Sequence, residues 1–237
     1  ASGGNYNVVV GDEAGTDITT GDENVGVGFG ALYKLTTGQY NTAIGSGALD
    51  AATTPSYNTA VGFAAGGAVT TGIQNTLIGA LAGDALTDAD YNVALGIGAL
   101  TTDTLGSKST ALGSYALSNQ NFTSATDAHN TAVGNNAGGA VTTGVQNTLI
   151  GSLAGDAITT GGGNVAVGYL ALTANTTASA NNALGVAALA ANTTGADNVA
   201  IGTSALASNT TASNNTAVGK GALAVNTTGA NNNAFGL

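Results

Sequence analysis

Few side chains in this sequence could carry out chemistry, and their types exclude several kinds of site. Among 237 residues there is no cysteine, methionine or tryptophan, and only 7% are charged. Without cysteine the chain has no disulfide, no zinc–thiolate site and no thiol nucleophile. His129 is the single histidine, so no site can use two imidazoles. We therefore predict no metal and no cofactor, and we predict that the protein is not an enzyme.

Acidic residues are the remaining candidates for chemistry. Five of them crowd the first two repeats: Asp12, Glu13, Asp17, Asp22 and Glu23. Carboxylate and carbonyl oxygens are the ligands that calcium prefers, but neither an EF-hand nor a nine-residue calcium repeat is present. We interpret the cluster between residues 12 and 23 as solvated surface charge, with calcium binding left open.

A second pair of acids, Asp84 and Asp156, occupies equivalent places in two near-identical blocks, residues 66–87 and 138–159. Duplication explains this match without paired-carboxylate chemistry. The whole chain has 13 acids and three lysines, for a net charge of -10. This charge repels phosphate backbones and anionic bilayers, so we expect no nucleic acid partner and no membrane insertion of this segment.

The elements that position these residues come from a 17-residue repeat. Fourteen glycines mark it: Gly11, Gly28, Gly45, Gly62, Gly79, Gly96, Gly113, Gly134, Gly151, Gly168, Gly185, Gly202, Gly219 and Gly236. Twelve of the thirteen intervals are 17, and the interval from Gly113 to Gly134 is 21. We predict that the four extra residues enlarge a loop at 118–129 of a single repeat domain that spans residues 1–237.

Each position of the repeat, counted from this marker glycine, has its own chemistry. A large apolar residue at position −1 follows a small residue at −2, which predicts a strand of about five residues with position −1 buried. Position +3 is always alanine, and position +4 is either leucine or glycine. Most leucine repeats have a small or polar residue at +7, whereas glycine repeats have a large one there, as a fixed interior volume requires. The second repeat departs from this rule with both Leu32 and Leu35.

Asparagine recurs at position −4, and threonine recurs at +8. We expect the asparagines to form a structural ladder that satisfies backbone groups at a bend. Its clearest members are Asn41, Asn58, Asn75, Asn92, Asn130, Asn147, Asn164, Asn198 and Asn215, whereas Ser109 interrupts the column.

Glycine, asparagine and threonine at fixed places disfavour helices of three turns. We therefore predict an all-β fold, a parallel β-solenoid or β-roll of about fourteen 17-residue coils with two short strands per coil. Because so narrow a coil buries little apolar surface alone, we expect copies to associate along the rod and predict a homotrimer. Composition favours association but does not fix the number of copies.

Residues 130–134 (NTAVG) and 198–202 (NVAIG) resemble the repeats of trimeric autotransporter adhesin heads. Residues 215–229 (NTAVGKGALAVNTTG) are similar throughout to a repeat of tail-fibre-like proteins of phages and bacteria. The resemblance implies a trimeric fibre located outside the cell, on a cell surface or a virion. Both ends of the chain fall inside a repeat, from which we expect a segment of a longer protein.

The leading functional hypothesis is a passive structural and adhesive fibre segment that spaces or presents a receptor-binding surface. Its partners are itself and a host-surface glycan or protein receptor, with Gln120, Phe122 and His129 in the enlarged loop as candidate receptor contacts. Two alternatives stay open: an ice-binding β-solenoid that uses threonine ladders, and a glycan-cleaving tailspike. The latter needs two acids about 5–10 Å apart in a groove.

Overall fold

The computed structural model describes residues 5–236 as two compact all-β units. Of the described residues, the first unit contains 5–115 together with 120–127, and the second contains 116–119 and 128–236. The division therefore passes through the inserted segment. No α-helix occurs between residues 5 and 236.

The first unit contains nine strands. They are β1 (Val8–Val10), β2 (Val25–Val27), β3 (Thr42–Ile44), β4 (Thr59–Val61), β5 (Thr76–Ile78), β6 (Val93–Leu95), β7 (Gly106–Ser107), β8 (Thr110–Leu112) and β9 (Thr126–Asp127). Strands β1 to β6 and β8 pair in parallel, each residue lying beside the one 17 positions later. Strands β7 and β9 form a separate parallel pair. The inserted segment thus contributes one short strand of its own.

The second unit repeats the same arrangement with seven strands. They are β10 (Thr131–Val133), β11 (Thr148–Ile150), β12 (Val165–Val167), β13 (Asn182–Leu184), β14 (Val199–Ile201), β15 (Thr216–Val218) and β16 (Asn233–Phe235). Their register is again 17 residues. The fold is the expected parallel β-solenoid, with about 13 coils rather than fourteen.

The distance between coils is visible in one aromatic pair. The rings of Tyr40 and Tyr57, which are 17 residues apart, stack with centroids 4.9 Å apart and an interplanar angle of 9°. This is the spacing of neighbouring strands in a sheet. The marker glycine explains the strict period, because Gly62 has φ +139° and a β-carbon there would lie 2.5 Å from the carbonyl oxygen of Gly79. Only glycine can stack on its copy in the next coil.

The predicted strand of about five residues and the prediction of two short strands in each coil were both wrong. Each regular coil has one three-residue strand, and the rest of the coil is turns. The reason lies at position +4, where Leu32 and Leu49 have φ of 57° and 49°. A left-handed residue bends the chain, so no second extended segment forms. Backbone hydrogen bonds still join these turns to the next coil, as from Leu32 N to Ala48 O at 3.1 Å.

Besides the alanine at +3, three positions whose side chains differ in size from coil to coil, −2, +4 and +7, fill the interior. In the third coil these are Ala43, Leu49 and Ala52, all with no exposed surface. In the fifth coil they are Leu77, Gly83 and Leu86, where a β-carbon on Gly83 would lie 2.8 Å from Cδ2 of Leu77. The sizes of the side chains at +4 and +7 are therefore balanced against the size of the side chain at −2 as well.

This three-position interior also explains the second coil. Leu32 and Leu35 are both fully buried, and position −2 is Gly26 instead of alanine. A β-carbon on Gly26 would lie 3.3 Å from Cδ1 of Leu32. The coil thus accommodates two leucines because its third interior residue has no side chain.

The large apolar residues at position −1 are not buried, contrary to the sequence prediction. Ile44 is 41% exposed and Leu95 is 48% exposed, whereas Ala43 beside Ile44 has no exposed surface. Alternate residues of a strand face opposite sides of the sheet. Because a large side chain at +4 or at +7 already fills the coil, the strand turns its residue at −2 inward and its large residue at −1 outward.

Candidate functional site

The asparagines at position −4 form a buried ladder in each unit. Asn147 Nδ2 donates to the carbonyl oxygen of Gly161 at 2.9 Å. Its Oδ1 accepts hydrogen bonds from Asn164 N at 3.0 Å and from Asn164 Nδ2 at 3.1 Å. One carboxamide therefore donates a hydrogen bond to a carbonyl group of its own coil and accepts two hydrogen bonds from the asparagine of the next coil. All the asparagines named from the sequence are buried: Asn41, Asn58, Asn75, Asn92, Asn130, Asn147, Asn164, Asn198 and Asn215.

A second asparagine column, at position +7, was missed as a structural element by the sequence reasoning. Asn192 Nδ2 donates to Asn175 Oδ1 at 3.1 Å and to the carbonyl oxygen of Gly195 at 2.8 Å. Asn209 repeats both contacts with its neighbours. Between residues 5 and 236 every buried side-chain nitrogen or oxygen has a partner. The hydrogen-bonding groups of these two asparagine columns are therefore used between and within coils, and they are buried away from any ligand.

Two of the three candidate receptor contacts are buried, so their assignment to a receptor surface was wrong. Gln120 has no exposed surface and Phe122 has 5%. Asp103 Oδ2 accepts a hydrogen bond from Gln120 Nε2 at 2.6 Å, and Oδ1 accepts from the backbone N–H of Gly106 and of Phe122 at 3.0 Å each. Gln120 Nε2 also donates to Ser109 Oγ at 3.0 Å. At the point where Ser109 replaces an asparagine of the ladder, Gln120 of the inserted segment therefore supplies the side-chain hydrogen bond between coils.

His129, the third candidate, is exposed and has φ 50° at a turn. Residues 123–125 at the tip of the insertion are also exposed. The ion pair between Lys108 Nζ and Asp127 Oδ2, at 2.5 Å, lies on the surface of the first unit. Of the three candidate receptor contacts, His129 alone is at the surface of its unit.

The outward side of the sheet in each unit is a column of apolar residues at position −1. Away from the end coils, its exposed members include Ile44 and Leu95 in the first unit and Ile150, Leu184 and Ile201 in the second, at 38–49% exposure. Position −3 on the same side is mostly threonine or valine. Contiguous apolar surface of this kind marks interaction sites in soluble proteins. We call it the outward apolar column.

A groove of about 610 Å³ opens on the first unit, and we call it the Phe29–Phe63 groove. Both phenylalanines are at position +1, two coils apart, and they are 56% and 62% exposed. Tyr33 lines the groove beside Lys34. The remaining lining residues are small or acidic: Glu13, Gly30, Ser46, Gly47, Asp50, Ala64, Gly67, Ala68 and Asp84.

This groove was not predicted from the sequence. Its one available sign was that two of the four phenylalanines share position +1 at an interval of 34 residues. The acids Asp50 and Asp84 line the same groove because both are at position +5, two coils apart. Comparing only neighbouring repeats overlooks such a pair.

Metal ligands do not converge in the described part of the chain. Between residues 5 and 236 no three side chains of histidine, cysteine, aspartate or glutamate group as they would around a metal ion. In the same range no helix has the length and apolar character to cross a membrane. Comparisons of the chain with protein-family models, curated proteins and solved structures give no match.

Proposed function

We propose that this chain is a non-enzymatic structural and adhesive fibre segment. In this proposal three copies assemble into a homotrimer outside the cell, as part of a surface fibre or a virion appendage, and the fibre spaces or presents a receptor-binding surface. The observation that carries the proposal is the outward apolar column, which a single chain leaves in contact with water. The resemblance of the repeats to trimeric adhesin heads and tail-fibre proteins supports the same assembly.

Energetic considerations favour association along the column. Burying apolar surface stabilises a complex by about 25 cal/mol per Å², and exposed apolar columns on a flat sheet favour aggregation unless a partner covers them. A closed symmetric assembly covers the column on every copy. Parallel chains in register would place the same residues of each copy at the same height.

Sedimentation velocity on the natively purified chain tests the trimer. We expect a species of three times the chain mass of 22.4 kDa. Lysines in place of Ile150 and Leu184 in the outward apolar column should dissociate it, whereas Thr160→Lys, at an exposed turn position, should not. A monomeric wild-type protein would contradict the assembly, and a trimer that persists in the double lysine variant would place its interface elsewhere.

A glycan-cleaving tailspike is the second candidate, favoured by one observation. Asp50 and Asp84 line the same groove two coils apart, a separation of about 10 Å along the coil axis, close to that of the carboxylates of inverting glycosidases. Asp84 Oδ1 also accepts a hydrogen bond from Thr101 Oγ1 at 2.6 Å. Reducing sugar released from a host glycan, and lost in Asp50→Asn and Asp84→Asn, would replace the fibre hypothesis with this one.

Ice binding has less support. The threonine hydroxyls at position +8 donate to carbonyl oxygens of the next coil, as from Thr193 Oγ1 to Thr210 at 3.0 Å. These hydroxyl protons are therefore engaged in hydrogen bonds between coils and are not free to bind ordered water. Thermal hysteresis in a nanolitre osmometer is the measurement that would restore this alternative.

A further inference from the structure

The Phe29–Phe63 groove contains the chemistry of a sugar-binding site. Its volume of about 610 Å³ lies within the usual range of ligand sites, which is about 300–1,000 Å³. It combines exposed aromatic rings with hydroxyl and carboxylate groups. We propose that this groove binds a neutral oligosaccharide, an inference that rests on the proposed receptor-presenting function and names its ligand class.

The spacing of the aromatic rings supports an extended, repeating ligand. Phe29 and Phe63 are two coils apart, which corresponds to about 10 Å along the coil axis. Pyranose rings stack their C–H faces on aromatic rings, and two stacking points at this distance match alternate sugars of an extended chain. Between them, Gly47 and Ser46 of the intervening coil line the groove with little side-chain bulk. A flat chain of sugar rings can therefore lie along the groove.

Polar groups beside the rings suit sugar hydroxyls. Asp50 and Asp84 offer carboxylate acceptors, Ser46 offers a hydroxyl, and Lys34 offers an ammonium donor. Carboxylates hydrogen-bonded to neutral donors make strong, directional contacts. A binding site of this kind distinguishes sugars by the placement of their hydroxyl groups, because an unpaired buried polar group is costly.

The charge of the groove selects against acidic glycans. Three acids, Glu13, Asp50 and Asp84, line it together with one lysine, Lys34, and the whole chain has a net charge of -10. Sialylated or sulphated sugars would meet repulsion at close range. The ligand class is therefore an uncharged oligosaccharide.

The groove and the outward apolar column use different residues of the coil. The column comes from positions −3 and −1 of the strand, whereas the groove comes from positions +1, +2, +5 and +6. Trimer formation and sugar binding can therefore be tested separately. Tyr169 supplies a matched control, since it is an aromatic residue at position +1 with 51% exposure that does not line the groove.

The test is isothermal titration calorimetry of the full chain with four uncharged probes: cellohexaose, maltohexaose, mannohexaose and the hexamer of N-acetylglucosamine. We expect at least one probe to bind. Phe29→Ala and Phe63→Ala should each weaken that binding about tenfold through the loss of one stacking surface. Tyr169→Ala should bind as the wild type does, and all three variants should keep the wild-type sedimentation coefficient.

Three outcomes overturn the inference, and a fourth separates it from the proposed trimer. If none of the four probes binds, or if both phenylalanine variants bind as the wild type does, the groove is not an oligosaccharide site. A changed oligomeric mass in Phe29→Ala and Phe63→Ala, but not in Tyr169→Ala, would assign the groove to a second copy of the chain. A wild-type monomer that still binds sugar through the groove would overturn the trimer and leave the sugar site standing.

Discussion

Replacing Asn181 by alanine tests the ladder at one buried carboxamide. Asn181 Nδ2 donates to Gly195 O at 2.9 Å, and Oδ1 accepts from Asn198 N and Nδ2 at 3.1 Å each. After the change, Gly195 O keeps its bond from Asn192 and Asn198 Nδ2 keeps its bond to Ala212, whereas the Asn198 N–H loses its acceptor. An orphaned buried N–H costs about 2 kcal/mol and each other lost bond about 1 kcal/mol, for about 4 kcal/mol altogether.

The adjacent residue is the control for this change. Asn182 is the same residue type, but it lies on the exposed side of β13, so Asn182→Ala should change the free energy of unfolding by less than about 0.5 kcal/mol. Urea unfolding at matched protein concentration gives both values, since an oligomer gains stability with concentration. Hydrogen exchange at the Asn198 amide should accelerate only in Asn181→Ala. Equal urea midpoints for the two variants, or an unchanged exchange rate at Asn198, would refute the role assigned to the ladder.

Three further changes test the interior and the insertion. Gly66→Ala would place a β-carbon 2.7 Å from Leu77 Cδ1 at φ +59° and should cost about 1–3 kcal/mol in thermal unfolding; the cost should fall in a Leu77→Ala background, and an equal cost there would contradict a shared interior volume. Asp103→Ala should cost about 5 kcal/mol, because the buried N–H groups of Gly106 and Phe122 lose their acceptor and Gln120 loses one hydrogen bond. Asp127→Ala, which breaks an exposed ion pair, should cost less than about 1 kcal/mol, and similar urea midpoints for these two variants would count against the insertion contacts. Thr193→Val should cost about 1 kcal/mol through the loss of its hydrogen bond to the next coil, and a melting temperature at or above that of the wild type would show that this bond contributes no stability.

The repeat could be predicted because its constraints act between identical positions of successive coils. Gly62 must stack against Gly79, and each ladder asparagine must hydrogen-bond the next one. Such constraints leave a strict period in the sequence. The direction of each strand side chain could not be predicted this way, because the alternation of Ala43 and Ile44 is compatible with either side facing inward. Leu49, which fills the interior from a left-handed turn, decides between them.

The burial of the inserted segment could not be predicted from the sequence either. Gln120 and Phe122 lie in a segment that breaks the repeat, so the sequence suggests an exposed loop. Their burial depends on Asp103, whose carboxylate binds both of them from the preceding coil. A contact between single, unrepeated residues leaves no periodic pattern from which it could be predicted.

The period, the parallel stacking and the asparagine columns follow from the order of the amino acids, since every coil must match its neighbour at a spacing of one strand. Three-dimensional packing alone assigns the large apolar side chains to the outward face, buries the insertion and assembles the Phe29–Phe63 groove from separate coils. The physical reason is that an interior of limited volume is already filled by a large side chain at +4 or +7, which leaves no room for the large residue at −1 of the strand. That competition is settled by packing among −2, +4 and +7 together, not by the preference of any one residue.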